Sequence, residues 1–159
     1  MKPIFFLAAI IAGLVAIWTY ISIGIPELHL IPWIAFVAWA AYFAGGGTAL
    51  AAKNSLSAGI VAIFLAAVTL YLINIMGGGL YIMMVLFPIM AFLLVIMARV
   101  GGLTYTPAAF LGAASFFGNG GMVDITILYV ISSWIAGIGL GIATIAINRL
   151  LNKYEKVEQ

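Results

Sequence analysis

The chain has 159 residues, of which 67% are hydrophobic and only 6% charged. A soluble domain carries about 25% charged residues, so this chain reads as an all-α integral membrane protein. A net charge of +2 is too small to suggest nucleic acid as a partner, and the absence of cysteine excludes disulfides and thiol chemistry.

The first apolar run, Ile4–Gly24, follows Lys2 and starts like a signal peptide. It continues for the roughly twenty residues a spanning helix needs. No small-residue cleavage region follows it, so a retained first helix is expected. Further apolar runs lie at Ile31–Ala52, Leu56–Met76, Leu80–Ala98, Thr104–Gly118 and Ile125–Leu150. The fifth is short for a crossing, and charge placement decides how it is counted. With six spans, Lys2, Lys53, Arg99, Arg149, Lys153 and Lys156 all fall on one face, while Glu27, His29 and Asp124 fall on the other. This is the positive-inside pattern, so both termini are expected in the cytoplasm. Five spans would put the basic tail, 151–159, outside.

Two stretches nearly repeat each other. "AFVAWAAYFAGGG" begins at Ala35 and "AFLGAASFFGNGG" at Ala109, an offset of 74 residues with six identities. The same offset carries helix one onto four and three onto six. Residues 1–76 and 77–150 therefore read as two three-helix repeats of one membrane domain. Three spans is an odd number, so the second copy is expected inverted, as in many channels and transporters. Glycines end each block, Gly45, Gly46 and Gly47 in the first and Gly118, Gly120 and Gly121 in the second. They are read either as interruptions offering backbone groups to a solute or as helix caps and packing points.

Tyr42, Phe43, Phe116 and Phe117 occupy equivalent places. An inverted two-fold is expected to bring the four rings to one axis as a slot for a flat molecule. Thr48, Thr106, Ser115 and Asn119 lie within or beside the blocks and are the polar candidates, with Asn119 foremost because its amide both donates and accepts. No Asp, Glu, Lys, Arg or His falls in the middle of a run, which argues against proton coupling. There is no acidic, histidine or cysteine cluster for a metal. Glu27 and Asp124 read as loop charges and His29 as an interfacial residue, so neither catalysis nor a cofactor is expected.

The stretches Tyr42–Gly47 and Pro107–Ala113, with their flanks, resemble the domain-of-unknown-function 1097 family of small inner-membrane proteins. The likeness covers nearly the whole chain and implies a multispanning protein of a prokaryotic inner membrane. It implies no substrate. A looser architectural likeness to urea and amide channels is analogy alone. The leading expectation is an uncoupled channel or facilitator for urea, a short amide or ammonia, in a homo-oligomer such as a trimer. The alternatives are a non-transporting assembly or sensor subunit and a sodium-coupled transporter.

Overall fold

A computed structural model describes residues 2–157, with side chains placed for residues 4–151. Helices are the only regular secondary structure among those residues: α1 (Lys2–Gly24), α2 (Pro32–Ala44), α3 (Ala49–Ile75), α4 (Leu80–Ile96), α5 (Thr106–Gly118) and α6 (Thr126–Val157). Short 3-10 turns occupy Pro26–Leu28 and Met97–Arg99. Four stretches are long and apolar enough to cross a membrane: Ile4–Gly24, Ala49–Ile75, Leu80–Arg99 and Thr126–Leu151. The other two helices, α2 and α5, have 13 residues each. That is about 20 Å of rise, short of a hydrocarbon core of about 30 Å.

The apolar patterning predicts that helix two runs through to Ala52 and that helix three begins at Leu56. The structure instead stops α2 at Ala44 and starts α3 at Ala49. Gly46 and Gly47 adopt φ of 98° and 63°, backbone that glycine tolerates and other residues resist. The Thr48 side chain then accepts the Ala51 N–H at 3.1 Å and caps the new helix. The glycines thus end α2 rather than interrupt it, and Lys53 lies inside α3 rather than in a connecting loop.

Helices α2, α6, α3 and α5 form a closed ring of neighbours: α2 touches α6, α6 touches α3, α3 touches α5, and α5 touches α2. α1 leans on α6 and α2 from outside, and α4 leans on α3 and α5. Their apolar side chains, such as Phe5 and Ile17 on α1 and Met84 and Phe92 on α4, remain exposed, as lipid-facing positions do. Small residues let the ring close tightly. The Gly137 backbone on α6 meets that of Ala35 on α2, and Gly112 on α5 meets Gly59 on α3. Gly59 also makes room for the indole of Trp134, which is fully buried and donates its N–H to the Ser55 carbonyl at 3.2 Å.

The contacts sort the loops into two ends. At one end, Gly45 lies against Tyr105, Gly47 against Ile145, and Asn54 bonds Thr104 at 2.9 Å. This end carries Lys53, Arg99 and Arg149. At the other end, His29 stacks on Tyr129 at 4.6 Å, the Ser133 hydroxyl accepts the Ile31 N–H at 2.7 Å, and Gly118 abuts Trp33. That end carries Glu27 and Asp124.

Candidate functional site

The two copies of the repeated block share one backbone geometry. In the first, the amides of Gly45, Gly46 and Gly47 donate to the carbonyls of Ala41, Phe43 and Tyr42. In the second, Asn119, Gly120 and Gly121 donate to Ser115, Phe117 and Phe116. The φ angles agree as well: Gly46 and Gly120 adopt 98° and 89°, Gly47 and Gly121 adopt 63° and 62°. This is a helix C-terminus closed by glycines in the left-handed region, with its last carbonyls satisfied. These glycines spend their backbone groups on capping.

α2 and α5 run antiparallel. The end of α2 at Gly45 faces the start of α5 at Tyr105, and the end of α5 at Gly118 faces the start of α2 at Trp33. Because the aromatic pairs sit near the C-termini of both helices, they lie at opposite ends of the bundle. The expected four-ring slot therefore does not form. Tyr42 stacks obliquely with Phe43 at 5.8 Å, and Phe116 meets Phe117 edge-on at 5.4 Å. Among the described residues, no aromatic pair joins the two blocks. Tyr42 and Phe116 are buried, Phe43 and Phe117 half-buried, and Phe117 also meets Phe87 of α4 at 5.6 Å.

The polar candidates divide. The Ser115 hydroxyl is buried and bonds the Leu111 carbonyl of its own helix at 2.8 Å. Thr48 caps α3, Thr106 begins α5, and Asn119 is the C-cap of α5. Two polar groups that sequence reasoning passed over stand out instead. The Trp39 indole nitrogen and the Ser55 hydroxyl are buried with no hydrogen-bond partner among the described residues. Ser55 was one polar residue among many in the sequence, and only its burial distinguishes it.

A cleft of about 420 Å³ opens at the basic end, lined by Tyr42, Gly47, Ala49, Ala52, Ile142, Ile145, Ala146 and Arg149, and Ser55 is not part of its wall. Along α3, Ser55 stands three residues, about 4.5 Å of rise, further into the bundle than Ala52 of the cleft wall. At the inner edge, the Tyr42 hydroxyl donates to the Gly47 carbonyl at 2.7 Å and holds the α2–α3 turn closed. Of the sequence candidates, only Tyr42 and Gly47 line this cleft. At the opposite end, Asp124 accepts the Thr126 N–H at 2.8 Å. The Thr126 side chain beside it, and then that N–H, hold its carboxyl below the usual aspartate value. No group of three His, Asp or Glu side chains gathers among the described residues.

The family described as "Protein of unknown function (DUF1097)" matches residues 8–148. The chain belongs to that family. The match takes in both blocks, α2 to α5 whole and most of α1 and α6, as the resemblance of Tyr42–Gly47 and Pro107–Ala113 implied. No curated protein and no solved structure matches the chain. The DUF1097 assignment thus comes without a substrate.

Proposed function

We propose that the protein is an uncoupled membrane facilitator for a small, neutral or weakly polar solute of the urea, short-amide or ammonia class. The observation that carries this reading is the Ser55 hydroxyl, buried and without a partner among the described residues, about 4.5 Å along α3 from Ala52 in the wall of a cleft at the basic end. A buried hydroxyl without a partner costs about 1–3 kcal/mol, and a solute passing through supplies the missing bond. The Trp39 N–H, also without a partner among the described residues, offers a second donor on α2. Neither group is charged, which suits a neutral solute and leaves no residue to carry a coupling proton.

The architecture behind this is a 3+3 inverted repeat, with α1, α2 and α3 equivalent to α4, α5 and α6. Exchanging the two sets leaves the pattern of helix neighbours unchanged, and the antiparallel course of α2 and α5 has the same sense. All six helices then count as crossings, the two short ones completed by their flanking loops. The basic end faces the cytoplasm of a prokaryotic inner membrane. The protein works as a homo-oligomer and performs no covalent chemistry.

The backbone contacts of Gly112 with Gly59 and of Gly137 with Ala35 favour a second reading, a closed and non-transporting assembly or sensor subunit. Tracer uptake into proteoliposomes separates the readings. A facilitator equilibrates urea or formamide at a rate unchanged by sodium or proton gradients. Sodium-dependent accumulation indicates a coupled transporter, and uptake equal to that of empty vesicles indicates the closed subunit.

A further inference from the structure

The cleft at the basic end is larger and more apolar than a urea-sized solute requires. Its volume of about 420 Å³ falls in the range of pockets that hold drug-sized ligands, about 300–1,000 Å³. One wall is a stripe on α6. Ile142, Ile145, Ala146 and Arg149 stand at spacings of three, four and seven residues, on a single helix face. The stripe is ordered by depth. Arg149 lies toward the charged end of α6, beside exposed Leu150 and Leu151, and Ile142 lies about 10 Å further into the apolar span. Ala49 and Ala52 face it from α3 and keep the cleft open, because larger side chains there would fill it. Ile142 is 47% exposed and Leu50, beside Ala49 at the mouth, 66% exposed. The cleft therefore opens toward the lipid as well as toward the end of the bundle.

From this arrangement we infer that the cleft binds one anionic phospholipid, with its phosphodiester against the Arg149 guanidinium and an acyl chain along Ala146, Ile145 and Ile142. Arginine matches phosphate oxygens with a planar fork of N–H donors, and basic pockets between helices on the cytoplasmic side suit acidic headgroups. The equivalent positions of the first repeat are Val68, Tyr71, Leu72 and Ile75. They keep an apolar stripe on α3 but carry no cation, so the opposite end lacks the headgroup partner. The lipid site does not depend on transport. If the facilitator reading also holds, the lipid stands at the mouth of the solute path and sets access to it.

Native mass spectrometry of the detergent-purified full chain tests this, with phosphatidylglycerol and phosphatidylcholine of identical acyl chains as probes. Wild type is expected to retain one phosphatidylglycerol per chain and to release phosphatidylcholine. Arg149→Gln should weaken retention roughly fivefold, the effect of one basic residue on an acidic lipid. Arg99→Gln, at the same end but outside the cleft, should leave retention intact. Ala146→Trp keeps the charge and fills the groove, and should also release the lipid. The inference is overturned if Arg149→Gln retains lipid like wild type, or if Arg99→Gln loses as much, since bulk charge then explains the binding. Displacement by inorganic phosphate alone would likewise overturn it in favour of a soluble anion. Binding is read without flux, so failure here and failure of the facilitator reading are separate results.

Discussion

The backbone of Gly112 on α5 rests on the backbone of Gly59 on α3, and a methyl group added at Gly112 would lie 2.8 Å from the Gly59 Cα. A similar contact joins Gly137 of α6 to Ala35 of α2, with an added methyl 2.7 Å from the Ala35 Cα. Backbone cannot move aside as a side-chain tip can. Gly112→Ala and Gly137→Ala should each destabilise the fold by about 1–3 kcal/mol, the usual cost of overpacking. Thermal unfolding in detergent reads this. Unchanged melting at both positions would mean that the helices are further apart than described.

The capping glycines give a second test. Gly46 and Gly120 hold positive φ, with open space where a Cβ would go. Alanine at either should therefore cost backbone strain alone, about 1–3 kcal/mol, and by matching amounts. Gly13 and Gly139 also have open space but lie inside helices. Alanine there should raise stability by roughly 0.5–1 kcal/mol. Melting curves of the four variants check both the sign and the match.

The absence of cysteine makes orientation directly measurable. Single cysteines replacing Glu27 and Asp124 should react with an impermeant thiol reagent added outside intact cells. Cysteines replacing Arg99 and Arg149 should react only after the membrane is opened. Labelling of position 149 from outside would place the tail there and leave an odd number of crossings.

Asp124 carries a pH dependence. Its carboxyl is held below the ordinary value by Thr126, so the charged form is the one favoured in the folded state. The stabilisation at the start of α6 is present above the unfolded aspartate pKa and lost as pH falls through the lower, folded one. Melting temperature should fall on acidification from neutral pH into the range below about 4. Asp124→Asn should remove part of that slope, and an identical slope in the variant would refute the assignment.

Much of this was legible in the sequence. The runs for α1, α4, α5 and α6 are set by apolar length, and the offset of 74 picked out two stretches that fold with the same hydrogen bonds. The end of α2 is misplaced because Ala49–Ala52 resume the apolar stretch after Thr48 alone. The local signal was present in Gly45–Thr48, where a glycine cap is followed by a threonine N-cap. The four-ring slot failed for a geometric reason. An antiparallel pair places equivalent C-terminal residues at opposite ends, so Tyr42 and Phe116 cannot meet. The contact of Gly59 with Trp134 and the burial of Ser55 join residues far apart in sequence, and no local pattern announces them.

The most direct test concerns Ser55. Its hydroxyl has no partner among the described residues, so Ser55→Ala removes a buried polar group and leaves no new group unpaired. Stopped-flow swelling of proteoliposomes against urea, formamide, glycerol and ammonia, paired with melting curves, separates a structural role from a functional one. The account predicts solute-selective permeation by wild type, and a Ser55→Ala protein that is at least as stable but slower for the selected solute. Permeation unchanged in that variant, or wild-type vesicles that swell no faster than empty ones, would contradict a solute path past Ser55.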